Sequence, residues 1–495
     1  MKYLLLLSTL IFFCIALTSC TTTTHPPNPQ TPQSLDDALS LAHTRREGII
    51  RPDHNHLAQL IQENPRTFAE VNLRNLMLPN TTRRGEISSD YAIYDTQFLF
   101  NTLAAGYGLY IYFGGDDVFA PMRDKIIDTI STQQYWCTRA LGQLYVYHLS
   151  QVIYDRHFRI DSTSFGDLYR FFVANTMFDI SENGFVNRSN SLYIQELWLP
   201  CHPGLILDAD EILRLSIDED GHGFFFTPVI PLLTLATPAD AIPKYLYIRY
   251  SDGTVEAIPL EKMKQPQPRV ICPVPSLDTD RDVPVVAIES MSPTTVGGDR
   301  YILQFLQYAH QLRNEQVFIL DLRKCLGGDI GIPFEWFYIL KGEYIPSSYY
   351  VLRTRGIGLF PVTDFGRGER FAIFDDHHMY HANPREGLIS SDQLIIVLTG
   401  PYTQSAAEFM VDMAFNLENT LIIGQNTGGA FMANMGFTLH LPRSRMPFNM
   451  GNMWNALHES HFQEGLGFAP DIWVSGDALA AALGLIENFL IFVIS

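Results

Sequence analysis

The hydrophobic rhythm of the chain changes along its length, and each rhythm predicts a different kind of element. Residues 3–16 are apolar almost without interruption, whereas 21–34 (TTTTHPPNPQTPQS) hold no Val, Leu, Ile, Met, Phe, Tyr or Trp. From about 34 to 160, apolar residues recur every three or four positions, clearest over 91–112, 118–130 and 137–153; this is the period of helices with one buried face. Between about 165 and 275 the rhythm shortens. Runs such as Tyr245-Leu246-Tyr247-Ile248 stop at turn signals such as Ser251-Asp252-Gly253, which predicts short strands. In the last third, Val285-Val286-Ala287-Ile288, Val317-Phe318-Ile319-Leu320-Asp321, Leu394-Ile395-Ile396-Val397-Leu398 and Leu421-Ile422-Ile423 are continuous apolar runs. They read as buried strands, with helices between them over 300–314 and from Ser405 to about 417. Pro284 is tolerated at a strand's first position. Strands alternating with helices give a mainly parallel sheet whose site lies at the strand C-terminal ends. The apolar stretch 478–495 is broken by Glu487 and Asn488 and reads as a packed helix and strand, not a membrane span.

At 495 residues the chain exceeds one ordinary core. The expected fold class is α+β multidomain, with a helical N-terminal domain over 35–164, a small β-rich middle domain over 165–279 and an α/β core over 280–495. A hydrophobic fraction of 46% excludes a disordered chain. A formal charge of -19 excludes phosphate-tracking contact with nucleic acid, which needs clustered Lys and Arg.

The N-terminus carries an address. Lys2 supplies a positive n-region, the following apolar run is too short to span a bilayer comfortably, and Leu17-Thr18-Ser19-Cys20 resembles a bacterial lipobox. Residues 1–19 are then a signal peptide cleaved before Cys20, whose thiol and amine take acyl chains. Residues 20–34 form a polar tether that reaches about 45 Å when extended. Two acyl chains suffice for stable anchoring, so the expected location is the outer face of a bacterial membrane. The absence of Asp after Cys20 favours the outer membrane where a cell has two. Beyond Cys14 and Cys20, Cys137, Cys201, Cys272 and Cys325 are scattered without CxxC pairing, which argues against a zinc ribbon and leaves one or two disulfides open.

Ser405 follows a buried strand and opens a helix, where backbone N–H groups and the helix dipole favour a developing oxyanion. Alone, Ser405-Ala406-Ala407-Glu408 reads as a capping box. Its surroundings carry more. Asp321-Leu322-Arg323-Lys324-Cys325-Leu326-Gly327-Gly328, Thr403-Gln404-Ser405-Ala406-Ala407-Glu408, Gly424-Gln425-Asn426-Thr427-Gly428-Gly429 and Glu464-Gly465-Leu466-Gly467-Phe468-Ala469-Pro470-Asp471 occur in that order. The series resembles the core of the C-terminal processing (tail-specific) and tricorn serine peptidase family over residues 280–490, with a weaker echo over 90–160. Cys325 stands where that family usually has Asn, and Gln425 where it usually has Glu.

The resemblance implies a crotonase-like α/β catalytic core, a peptide or unfolded protein as substrate, no cofactor and no metal. It makes Ser405 the nucleophile, with Gly328 and Ala406 as oxyanion donors. Tail-specific members take their base from a lysine in the glycine turn, but Gly429-Ala430 fills that place and no lysine follows Lys341. The tricorn-like branch instead takes a histidine from the N-terminal region and a late glutamate. Asp155-Arg156-His157-Phe158 supplies His157 as base, and Glu464 stands where the orienting carboxylate belongs. A histidine of ordinary pKa would make activity rise through roughly pH 6 to 7. The rival reading is a non-catalytic ligand-binding lipoprotein on the same fold.

Other features weigh less. Asp375, Asp376, His377, His378 and His381 place His377 and His381 at i, i+4 spacing, but without HExxH they read as a solvated loop. The glycine-punctuated stretch 353–391 reads as a lid over the cleft. Residues 165–275 show no glycine-rich carboxylate-binding loop, and nothing in the sequence specifies an oligomeric state.

Overall fold

The computed structural model describes residues 30–49, 52–53, 57 and 85–490, apart from 167–168, 201–205, 219, 234–241, 264–273, 294–297, 354–355, 361–369, 375–377, 382–387 and 435–437. Cys20, Cys201 and Cys272 lie outside the described residues, as does the end of the terminal run at 491–495.

The helical period over the N-terminal third becomes α1 (Leu35–Glu47), α2 (Ser89–Gly106), α3 (Gly115–Ile130) and α4 (Thr138–Leu149). Capping sets the first of them. The Ser34 hydroxyl accepts the Asp37 N–H at 3.1 Å, and the Asp37 carboxylate accepts the Ser34 N–H at 3.0 Å, satisfying donors that a helix start leaves bare.

The four apolar runs of the last third become β1 (Val285–Ala287), β2 (Val317–Asp321), β3 (Leu394–Thr399) and β4 (Thr420–Gly424), and a two-residue strand too short to show as a run, β5 (Ile472–Trp473), follows them. They lie parallel in that spatial order. Between and after them run α5 (Gly298–Leu312), α6 (Gly331–Lys341), α7 (Ala406–Phe415) and α8 (Ala478–Leu490). Helix α6 was not legible in the hydrophobic period. Its sequence GIPFEWFYILK is apolar on nearly every side, so no face stands out. The sheet does not end at β5. Trp473 pairs in parallel with Ser216 of the strand Leu213–Ile217, and antiparallel strands continue through Phe224–Leu233, Tyr169–Ala174, Val255–Lys262 and Tyr245–Tyr250. The result is a mixed α/β fold with one large sheet.

Alternation of side chains across that sheet creates two cores. Val286, Phe318, Leu320, Ile395, Val397 and Ile422 pack on one face with Phe305, Trp336 and Met410, and with Leu99, Leu103 and Leu141 of the N-terminal helices. Val285, Ile319, Ile396, Leu398, Leu421 and Ile423 face the other way, against Ala38 and Ala42 of α1, Ala482 and Leu485 of α8, and middle strands through Leu215 and Phe226. Burial on both faces explains why these strands read as unbroken apolar runs. Each fully buried Ile, Leu or Phe contributes about 1.5–3 kcal/mol. Helix α8, at 13 residues, is part of this packing. Among the described residues no helix is long and apolar enough to cross a membrane.

One buried ion pair fastens α1 to the sheet. Arg46 Nη2 lies 2.6 Å from Asp471 Oδ2 and donates to the Thr420 carbonyl at 2.7 Å, while Asp471 Oδ2 also accepts the Ile422 N–H at 2.8 Å. The Pro-Asp that ends the late sequence motif thus joins β4, β5 and α1. Arg46→Ala is expected to lower unfolding free energy by about 3–5 kcal/mol, because it strands a buried carboxylate. Urea denaturation followed by tryptophan fluorescence measures this; a loss below 1 kcal/mol would show that water replaces the guanidinium.

Candidate active site

The parallel register brings the strand ends level. Ala287 lies opposite Asp321, Asp321 opposite Leu398, and Thr399 opposite Gly424, so the loops after β2, β3 and β4 leave the sheet side by side. Thr403, fully buried, stitches them. Its Oγ1 donates to the Leu322 carbonyl at 2.8 Å, and its own carbonyl accepts the Gly428 N–H at 2.8 Å. The Gln404 N–H donates to the Cys325 carbonyl at 3.0 Å. Gly327, at φ 84°, lies flat against the turn: a Cβ there would sit 2.5 Å from the Gln404 carbonyl oxygen and 2.8 Å from both Ala406 N and Ser405 Cβ. Only glycine fits so close an approach.

Ser405 is half-buried and adopts φ 52°, ψ -122°, a conformation suited to glycine that costs a side-chain-bearing residue about 1–3 kcal/mol. Asp161, Ser191, Asn419 and Arg445 also have positive φ, so strain alone does not mark the site. What holds the turn is Glu408. Its buried carboxylate accepts the Ser405 N–H at 2.9 Å, Thr427 Oγ1 at 2.6 Å, and the Gly429 and Ala430 N–H groups at 2.8 Å each. Burial pushes its carboxyl above the usual range while these hydrogen bonds pull it back. Every one of these neighbours donates, so the ionised form is the one that satisfies them all.

The sequence-derived oxyanion donors lie in the same neighbourhood. Ala406 N–H occupies the first position of α7 and has no intrahelical acceptor. Gly328 forms a bridge with Met291 in which the Gly327 carbonyl and the Asp329 N–H are used, which turns Gly328's own N–H away from Met291. Gly328 is exposed.

His157 and Glu464 are brought together from distant parts of the chain. Glu464, buried, accepts the Phe431 and Met432 N–H groups at 3.1 and 2.9 Å and the Arg156 N–H at 3.3 Å. The same segment, 427–432, therefore bonds Glu408 through its first half and Glu464 through its second. The Asp155 carboxylate accepts the His157 N–H at 2.8 Å and the Tyr107 hydroxyl at 2.9 Å. Its Oδ1 lies 3.9 Å from His157 Nδ1, which is buried without a hydrogen-bond partner. Among the described residues no hydrogen bond joins His157 to Ser405.

Burial dominates the electrostatics here. It lowers His157 to about 4, helped by Arg156 and Arg159, so the imidazole is neutral at neutral pH. It raises Asp155 to about 6 and lifts Glu464 well above the carboxylate range, with Asp155 adding its repulsion. The pair resists carrying two negative charges.

Sequence reasoning read Glu408 only as half of a capping box, and Asp155 only as a neighbour of His157; it missed Thr403 and Arg156. The Arg156 guanidinium donates to the Gly428 carbonyl at 2.5 Å, clamping the glycine turn from the N-terminal side. The signals were a Ser-x-x-Glu and an Asp-x-His; their burial could not be read. Cys325 is a buried thiol pushed up to about 12 by desolvation, which makes it a packing residue. Lys341 is tied to Ser391 Oγ at 2.6 Å and Gln393 Oε1 at 3.2 Å. Asp375, Asp376 and His377 lie outside the described residues, and His378 and His381 end a strand, His378–His381, paired with Tyr350–Arg353. The stretch expected as a lid holds a hairpin of Gly356–Phe360 with Arg370–Phe374.

Residues 282–474 match the family model described as Peptidase family S41. Among curated proteins none matches the chain. Of solved structures, mature CPAF complexed with lactacystin is 15% identical, with 81% of this chain and 99% of that one covered and a TM-score of 0.39. A lipoprotein from Streptococcus agalactiae is 12% identical, with coverage of 83% and 99% and a TM-score of 0.38. The photosystem II D1 C-terminal processing protease is 12% identical, with coverage of 81% and 97% and a TM-score of 0.34.

Glu408→Gln tests the turn directly. An amide offers one acceptor oxygen and turns an NH2 toward N–H donors, so each orphaned donor costs about 1–3 kcal/mol. Calorimetry should show a lower Tm, and active-site labelling should fall with it; unchanged values for both would mean that the four hydrogen bonds do not hold the turn.

Proposed function

We propose that this chain, whose residues 282–474 match the model of peptidase family S41, is a serine peptidase of the tricorn-like branch that hydrolyses peptides or unfolded protein. The observation that carries the reading is the cluster of strand ends. Ser405 stands on a strained turn between two glycine loops, and the segment that braces it also binds Glu464 beside His157. The division into a helical region, a β-rich region and an α/β core belongs to this reading, with the first supplying the base and the last the nucleophile.

In the mechanism, neutral His157 accepts the Ser405 proton as the hydroxyl attacks the scissile carbonyl, then returns it to the leaving amine. Glu464 orients the imidazole and stabilises its charged form. Gly328 and Ala406 N–H groups receive the oxyanion. The serine–histidine hydrogen bond forms in the substrate complex, since such bonds are commonly long in the free enzyme.

A fluorophosphonate probe on purified protein should label Ser405. Ser405→Ala and His157→Ala should each lower kcat/KM by about 10⁴-fold or more, and Glu464→Gln by about 10²–10⁴-fold. The neutral imidazole is the active form and burial lowers its pKa to about 4. Activity in chelator-treated buffer should therefore show no acid limb from the imidazole between about pH 6 and 7; its decline on acidification should follow protonation of the buried carboxyls beside it, Asp155 at about 6 and Glu464, which burial also raises. A well-folded His157→Ala protein with wild-type turnover overturns the mechanism. No labelling at all, with an apolar ligand bound, identifies the non-catalytic lipoprotein instead.

The mature protein begins, in this reading, at an acylated Cys20 on the outer face of a bacterial membrane, with residues 20–34 as tether. Mass spectrometry of the native N-terminus should find a diacylglycerol-modified cysteine; an unmodified chain starting elsewhere refutes the anchor.

A further inference from the structure

We infer that Asp155, His157 and Glu464 form a binding site for a divalent transition-metal ion, best suited to Zn²⁺, and that occupancy switches the peptidase off. One ligand atom from each of the three buried side chains lies within 4.8 Å of the other two. The independent observation is the imidazole. His157 Nδ1 is buried, has no hydrogen-bond partner and lies 3.9 Å from Asp155 Oδ1. A buried lone pair or N–H left unsatisfied costs free energy, and a metal ion is one partner that would fill that position.

Charge points the same way. Two buried carboxylates lie within 4.8 Å of each other and of a neutral imidazole, and a dication bound among them would cancel their repulsion. Of the positive groups nearby, Arg156 is held by the Gly428 carbonyl and Arg159 is exposed. The carboxylates keep lone pairs free beyond their bonds to Tyr107, His157, Phe431, Met432 and Arg156. One nitrogen and two carboxylate oxygens, with water in the fourth position, is an open zinc arrangement. Ligand bonds of about 2.0–2.2 Å place tetrahedral donors about 3.4 Å apart, so the side chains close in by about an ångström.

Inhibition follows from the chemistry of imidazole. A neutral ring has one nitrogen lone pair. When the metal takes it at Nδ1, the proton must reside on Nε2, and the ring can no longer accept the Ser405 proton. The inhibitory half of the inference rests on the peptidase reading; binding does not.

The test uses Ser405→Ala full-length protein, so that binding is measured without turnover. Titration with CoCl₂ should give one equivalent with tetrahedral visible absorption, and ZnCl₂ should displace it in calorimetry. His157→Gln and Asp155→Asn, each checked for folding by circular dichroism, should weaken binding by about 100-fold. Wild-type hydrolysis should fall with Zn²⁺ over the same concentration range and recover with EDTA. No metal bound by Ser405→Ala protein, or equal binding in both ligand variants, overturns the site. Binding that depends on His157 without any effect on active enzyme overturns the switch. A wild type that stays inactive after EDTA treatment, yet binds added metal, refutes the peptidase and leaves the site standing.

Discussion

Four hydrogen bonds converge on the carboxylate of Glu408, and the geometry of the site depends on them. Two come from the glycine turn after β4, one from Thr427 and one from the backbone of Ser405. A serine at φ 52°, ψ -122° is a strained residue, and strain persists only where the surroundings over-determine it. Glu408 supplies that over-determination from within the helix that Ser405 opens. Gly327 supplies the rest by its close approach, since any side chain there would meet Gln404 and Ala406. The turn is thus fixed by a polar clamp on one side and a steric limit on the other.

A second buried carboxylate uses the same segment. Glu464 binds the next two N–H groups along, Phe431 and Met432, and reaches the Arg156 N–H of the N-terminal region. The stretch from 427 to 432 therefore works as a rail between the serine turn and the histidine. Desolvation governs the chemistry along it. The imidazole is kept neutral and two carboxyls are kept reluctant to ionise together, so a change of protonation at any one of the three alters the charge felt by the other two.

The large sheet explains how such remote pieces meet. Its parallel strands are sealed on one face by α5, α6, α7 and the N-terminal helices, and on the other by α1, α8 and the middle strands. Docking of the N-terminal helices on the first face carries Asp155, Arg156 and His157 to the glycine turn. The Arg46–Asp471 pair does the corresponding work on the second face, holding α1 where β4 and β5 meet.

The sequence by itself determined the strands β1 to β4, because an apolar run without alternation has no exposed face to display and must be covered twice. It also determined the order of the glycine turns, the position of Ser405 and the lack of a lysine in the turn after β4, since these are matters of residue type and spacing. Helix α6 escaped because it is apolar nearly all round. The continuity of the sheet through Ser216 and Trp473 escaped because strand pairing between remote segments leaves no local period. The tertiary structure alone decided that Glu408 is a clamp, that Asp155 is buried with Glu464 close to the imidazole, and that burial lowers the histidine's pKa to about 4. Each of these rests on burial or on contacts such as Arg156 with Glu464, 308 positions apart. Desolvation and hydrogen bonding depend on what surrounds a group in space, and no window of neighbouring residues contains that information.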